Sequence, residues 1–121
     1  MTASQQTPSE KMHRLDALFA HVWMVRTFLK HSDEAAEDEE LAEVHRQLYD
    51  VLLSLGAPLN ADDAEGYLKL ADKKLSRLKQ ATELFVELQP QISTHTNFKM
   101  AVHSLTTSVG EIGRLLAGTA D

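Results

Sequence analysis

The stretch LAEVHRQLYDVLLSL, residues 41–55, decides the fold of this chain. Its apolar residues recur at intervals of three and four positions: Leu41, Val44, Leu48, Val51 and Leu55. This spacing places them on one face of a helix and suits packing against other helices at shallow crossing angles. No segment of the chain shows the alternation of a half-buried strand. The stretch therefore predicts a helix that buries one face.

Three other segments have the same repeat and predict three more helices. The repeat consists of Leu15, Leu18, Val22, Val25 and Leu29 in the first segment, of Leu68, Ala71, Leu75, Leu78, Thr82 and Phe85 in the third, and of Phe98, Val102, Leu105, Val109, Ile112 and Leu116 in the fourth. Long helices with short connections pack as antiparallel neighbours. We predict an all-α, antiparallel up-and-down four-helix bundle that forms one domain over residues 1–121, with about 1–8 and 119–121 frayed.

Capping and breaking residues predict where the helices begin and end. The candidate N-caps are Thr7 or Ser9 for the first helix, Ser32 or Asp33 for the second, and Asn60 for the third. The candidate breaks are Gly56-Ala57-Pro58 after the second helix, Pro90 after the third and Gly118 after the fourth. The start of the fourth helix stays open, at Pro90 or only after Thr94.

Composition bounds the class of protein. Of 121 residues, 43% are hydrophobic and 25% charged, and none is cysteine, which excludes disulfides and thiolate catalysis. No apolar run approaches the roughly 18–20 residues of a membrane helix, and the polar N-terminus lacks a signal-peptide segment. We expect a cytoplasmic protein that does not enter membranes. The net charge of −6 argues against a nucleic-acid partner.

The charges are unevenly distributed along the chain. Residues 33–43 contain seven acids and no Lys or Arg, whereas residues 69–79 contain five basic residues and one acid. Four of the basic side chains lie outside the core positions of their helix: Lys69, Lys73, Lys74 and Arg77. They form a possible anion-facing patch, or else a solvated face that lies opposite the acidic second helix.

Motifs for metal binding and catalysis are missing. Di-iron bundles use two Glu-x-x-His pairs, and Glu10-Lys-Met-His13 is the only such pair among the six histidines. A hemerythrin-like pattern fails as well, because neither His nor Glu follows His21, His45 or His103 by four residues. There is no nucleophile elbow, Walker sequence or dinucleotide fingerprint. We predict no catalytic residue, no metal and no cofactor; a metal-dependent enzyme ranks third among the functions considered.

One local motif suggests signalling. The stretch VHSLTTSVGEIG, residues 102–113, resembles the phosphoacceptor region of histidine phosphotransfer domains, with His103, Leu105, Ser108, Ile112 and Gly113 at matching positions. Thr106 and Thr107 stand where that family has Lys and Gly, and the motif lies in the last helix rather than mid-bundle. The resemblance covers about a dozen residues and implies that His103 accepts a phosphoryl group. The alternative is an exposed histidine on a helix with small neighbours.

A second resemblance extends over the whole chain. HVWMVRTFLKHS, DEELAEVHRQLYD and STHTNFKMAV are similar to short, uncharacterised bacterial helical-bundle proteins, some of which carry an amidohydrolase label. The resemblance implies a bundle of unknown role. It does not support amidohydrolase activity, since those enzymes are barrels with a metal-binding His-x-His, and this chain has no such motif and is shorter than a barrel requires.

Two large apolar residues fall outside the predicted core. When Leu15 and Val22 take heptad position a, Trp23 falls at b and Met24 at c. Such residues mark interfaces when they cluster; alternatively, the helix rolls and Trp23 covers the edge of the core. We therefore predict a non-enzymatic, soluble bundle protein that acts through its surface. We predict that it forms a homodimer, with an unidentified protein as the alternative partner, and that Trp23 and Met24 lie at the interface.

Overall fold

The computed structural model describes residues 6–119, so most of the predicted frayed ends lies outside the described residues. The described chain contains five helices and no strand: α1 (Pro8–Lys30), α2 (Asp33–Glu37), α3 (Glu39–Asn60), α4 (Ala64–Ile92) and α5 (Thr96–Thr119). The all-helical class predicted from the sequence is confirmed. The short helix α2 was not predicted.

The first helix begins at a capping box. The Thr7 hydroxyl accepts a hydrogen bond from the Glu10 amide at 3.1 Å, and the Glu10 carboxylate accepts one from the Thr7 amide at 2.8 Å. Two amides that the helix cannot satisfy are thereby bonded. Pro8 occupies the first turn, where its missing N–H has no cost. Of the two candidate caps, Thr7 is therefore the cap of α1.

The acidic segment breaks one predicted helix into two. Ser32 accepts a hydrogen bond from the Ala35 amide at 3.1 Å, so it is an N-cap as predicted, but α2 ends after five residues. Asp38 then takes an extended conformation, and its carboxylate accepts from the Leu41 amide at 2.9 Å to begin α3. An aspartate side chain competes with the helical backbone in this way. The prediction of one continuous second helix was wrong.

Pro58 does not end α3 as predicted. The helix continues to Asn60, because Leu59 packs against the core and only one backbone bond is lost in the last turn. The Pro58 carbonyl then accepts from the Asp63 amide at 2.9 Å. The predicted cap Asn60 was also wrong, since the Asp63 carboxylate begins α4 by accepting from the Gly66 amide at 3.0 Å.

Pro90 likewise lies inside α4 rather than after it. The helix runs two residues further to Ile92, which packs against the core. The Gln89 side-chain amide donates to the Ser93 carbonyl at 2.8 Å and closes this end. The fourth long helix begins at Thr96, which agrees with the later of its two predicted starts, and it extends one residue past the predicted break at Gly118.

The long helices share one hydrophobic core. Helices α1 and α4 each contact both α3 and α5, and α2 packs on α1 and α3. All five residues of the repeat in α3 are buried, and so are most of those in the other helices. Three predicted core residues are only half-buried: Leu18, Leu75 and Val102. Where α1 meets α5, the rings of Phe28 and Phe98 pack edge to face with centroids 5.0 Å apart.

Candidate interaction surface on α1 and α3

Trp23 and Met24 lie on the outer side of α1. Their neighbours Val22 and Val25 are buried, whereas Trp23 is 43% and Met24 64% exposed. The Trp23 ring packs against the Tyr49 ring of α3 at a tilt of 42°, with centroids 6.2 Å apart. The chain itself therefore covers part of Trp23 and leaves most of Met24 uncovered.

Helix α3 adds a third apolar residue to this surface. Leu53 is 63% exposed, and it lines a groove of about 450 Å³ together with Trp23 and Met24. The rest of the groove is formed by Asp16, Phe19, Ala20, Leu52 and Gly56. We call Trp23, Met24 and Leu53 the α1/α3 apolar face. Leu53 was not predicted as part of this surface; the available signal was a large apolar residue outside the three-four repeat of α3.

Arg26 is buried against these two aromatic rings. The guanidinium carbon lies 4.9 Å from the centre of the Trp23 ring and 4.4 Å from that of Tyr49, and the residue is only 8% exposed. These are cation–π distances. Its Nε is fully buried and has no hydrogen-bond partner among residues 6–119. Arg26 was not predicted to be buried; the available signal was its position seven residues after the apolar residue Phe19, on the same side of α1.

A second cavity, of about 280 Å³, lies beside Arg26. We call it the cationic cavity; it is lined by Arg26, Lys30, His45, Arg46, Tyr49 and Asp50. Arg46 forms ion pairs with Glu39 and, at 3.2 Å, with Glu43. Burial lowers the pKa of His45 below 6.5, and the positive charges of Arg46, Arg26 and Lys30 lower it further. His45 is therefore mostly neutral at pH 7.

The predicted phosphoacceptor, His103, is exposed on α5. The Thr106 hydroxyl donates to the His103 carbonyl at 3.1 Å, and Thr107 is exposed. Ser108, which the resemblance to phosphotransfer domains includes, is buried with 5% exposure. The imidazole is accessible, as a phosphoacceptor requires, and the side chains of residues 106 and 107 supply no positive charge beside it.

The predicted anion-facing patch lies on α4. Lys69, Lys73 and Arg77 are exposed and Lys74 is half-buried. None of the four forms an ion pair within residues 6–119. Ion pairs to the acidic segment come instead from Arg46 on α3 itself. The basic side chains of α4 thus do not neutralise the acidic segment through direct pairs.

Over the described part of the chain, no three or more His, Asp or Glu side chains come together in a way that could hold a metal ion. The described helices also include none with the length and apolar character needed to cross a membrane. Comparisons with protein-family models, curated proteins and solved structures found no match to this chain.

Proposed function

We propose that this protein is an antiparallel up-and-down four-helix bundle that acts through its surface, without enzymatic activity, as a homodimer in the cytoplasm. Connections of one to three residues between successive helices support the antiparallel arrangement. In this arrangement, α2 is a short addition before α3. A protein other than a second copy is the alternative partner.

The α1/α3 apolar face is the observation that supports the proposed dimer. Three large apolar side chains, each at least 43% exposed, line one groove that two helices form. A two-fold axis brings the same patch of both copies together, so the patch must fit itself. Met24 protrudes and has an adaptable side chain, and the groove beside it offers about 450 Å³. In the proposed dimer, Met24 of each copy enters the groove of the other.

The size of the chain is compatible with such an interface. A standard interface buries roughly 800 Å² on each partner, about a ninth of the 7155 Å² accessible surface described. The three residues of the apolar face lie at its centre, while Asp16 and the charged cationic cavity lie at its rim. This is the usual arrangement of an apolar core within a polar border.

Sedimentation or light scattering at about 100 µM tests the dimer. We expect twice the chain mass of 13.5 kDa, and Met24→Ser should shift the mass toward one chain. Met100→Ser is the matched control, because Met100 is 57% exposed on α5, away from the apolar face. A wild-type protein that is strictly monomeric at this concentration, or an unchanged mass for Trp23→Ala, contradicts the proposal.

The exposure of His103 favours one second candidate, a degenerate histidine-phosphotransfer module. Incubation with acetyl phosphate or with a phosphorylated receiver domain tests it. An acid-labile phosphohistidine that disappears in His103→Gln supports this function. The complete absence of phosphorylation at His103 eliminates it.

A further inference from the structure

Arg26 lacks a counter-charge of its own. The side chain is more than nine-tenths buried, yet within residues 6–119 it has no ion pair and no hydrogen bond, and its Nε is unpartnered. Burying a charge is costly unless it is paired and hydrogen-bonded. The rings of Trp23 and Tyr49 offset part of this cost but accept no N–H bond in the plane of the guanidinium. Within the described residues, no group accepts a hydrogen bond from the Arg26 guanidinium.

The surroundings favour a negative group at this position. Lys30, His45 and Arg46 line the same cavity as Arg26, and Asp50 is the only acid among the lining residues. Arg46 already pairs with Glu39 and Glu43, whereas Lys30 forms no ion pair within the described residues. Arg26 and Lys30 thus supply unneutralised positive charge in a protein whose net charge is −6.

We propose that the cationic cavity between α1 and α3 binds the oxyanion of a small molecule, a phosphoryl or carboxylate group. Arg26 is the main donor, because its guanidinium is packed against two rings and a guanidinium presents its N–H groups in one plane that suits two oxygens. Lys30 is the second donor. The volume of about 280 Å³ lies near the lower end of ligand pockets, so it accommodates an oxyanion with a small substituent.

The only tryptophan of the chain reports on this site. Trp23 lies 4.9 Å from the Arg26 guanidinium, so an anion that binds there should change its fluorescence. Inorganic phosphate and acetate are titrated separately, with chloride keeping the ionic strength constant; their relative affinities distinguish a phosphoryl from a carboxylate ligand. We expect a saturable change with at least one of them. A fluorescence change that rises linearly with the concentration of both phosphate and acetate, as chloride alone would produce, overturns the proposal.

Two pairs of matched variants locate the site. Arg26→Met should abolish the saturable change, whereas Arg77→Met, on the basic patch of α4, should leave it unaltered. Lys30→Gln should weaken binding several-fold, and Lys99→Gln, an exposed lysine on α5, should not. Circular dichroism verifies that each variant folds. A folded Arg26→Met variant that still binds the anion overturns the proposal. If Arg26→Met does not fold, a Lys30→Gln variant that binds with wild-type affinity overturns it.

The titration is repeated on Met24→Ser to separate this inference from the dimer. Saturable binding that persists in a monomeric variant supports a small-molecule site even if the homodimer is not formed. Binding that is lost in the monomeric variant instead shows that the site needs the second copy, and the proposal of a small-molecule site formed by α1 and α3 of one chain then falls.

The pH dependence gives an independent readout. His45 faces Arg26 and Lys30 from α1 and Arg46, Glu43 and Asp50 from α3. Burial, and then the nearby positive charges, hold the pKa of His45 below its usual value. A bound anion favours the protonated imidazole, so sulfate, which does not titrate in this range, should bind more tightly as the pH falls below 6.5. His45→Gln should remove this dependence while keeping affinity at pH 8. An affinity that does not change between pH 8 and 5 contradicts the assigned cluster.

Discussion

Two leucines of α3 should respond very differently to the same substitution. Leu48 is fully buried and Leu53 is 63% exposed, although both lie on one helix only five residues apart. Leu48→Ala removes buried methyl groups and leaves a cavity, which costs about 3 kcal/mol. Leu53→Ala removes atoms that water already contacts, so the cost in the monomer should stay below about 0.5 kcal/mol.

The difference should be visible in both thermal and chemical unfolding. For a domain of this size, about 3 kcal/mol corresponds to a decrease of roughly 12 °C in the melting temperature. Urea unfolding followed by far-UV circular dichroism at about 1 µM protein measures each monomer, since dimers dissociate on dilution. The slope of the free energy of unfolding against urea concentration should equal that of the wild type, because both variants expose a similar surface on unfolding.

The protein concentration then separates folding from association. At about 100 µM, Leu53→Ala should lose stability relative to the wild type, because a dimer that binds only the folded chain stabilises it. Equal losses for both variants at 1 µM would refute the assignment of the buried face of α3. A Leu53→Ala variant that equals the wild type at both concentrations would count against the α1/α3 apolar face as the dimer contact.

Other predictions concern helix ends and pH. Asp38→Ala should cost about 1 kcal/mol in urea unfolding, because it removes the cap of α3; a loss below 0.3 kcal/mol would contradict this. Gly56→Ala should stabilise the protein by about 1 kcal/mol, since a Cβ there meets nothing within 4 Å. Gly66→Ala should bring no such gain, because its Cβ would displace the capping carboxylate of Asp63. Equal changes in the free energy of unfolding would be inconsistent with this reasoning. Burial, and then the charge of Asp16, raise the pKa of Tyr67 above 10.0. The unfolded chain therefore loses this proton first, and stability should fall as the pH rises above about 10. Urea midpoints of Tyr67→Phe should fall less steeply there, and parallel curves would exclude Tyr67 as the cause.

Local sequence predicted the structure correctly where a residue acts only on its own helix. The three-four repeat of α3 named five residues that are all buried, and Ser32 bonds the amide three residues ahead, as an N-cap does. The predicted helix ends at Pro58 and Pro90 were wrong. Both prolines are poor helix residues by themselves, but contacts of Leu59 and Ile92 with the other helices carry α3 and α4 past them. Propensity is a local preference that tertiary packing overrides.

Only part of the candidate surface could be predicted from the sequence. Heptad positions placed Trp23 and Met24 outside the core of α1, and both are exposed. The same positions say nothing about which residues of another helix lie beside them. Leu53, Tyr49 and His45 belong to α3, and they reach Trp23 and Arg26 only because α1 and α3 pack side by side. The role of the surface as a dimer interface stays a prediction.

The sequence by itself determined the helical class, most of the buried faces and the caps of α1 and α2, because each depends on residues within a few positions of one another. The environment of Arg26 was decided only by the tertiary structure. A charged residue normally points into solvent, and the position of Arg26 seven residues after Phe19 indicates only the side of α1 on which it lies. Its burial against Trp23 and Tyr49 comes from the contact of two helices, with Arg26 and Tyr49 more than twenty positions apart. Long-range packing creates both the unpaired charge and the cavity beside it.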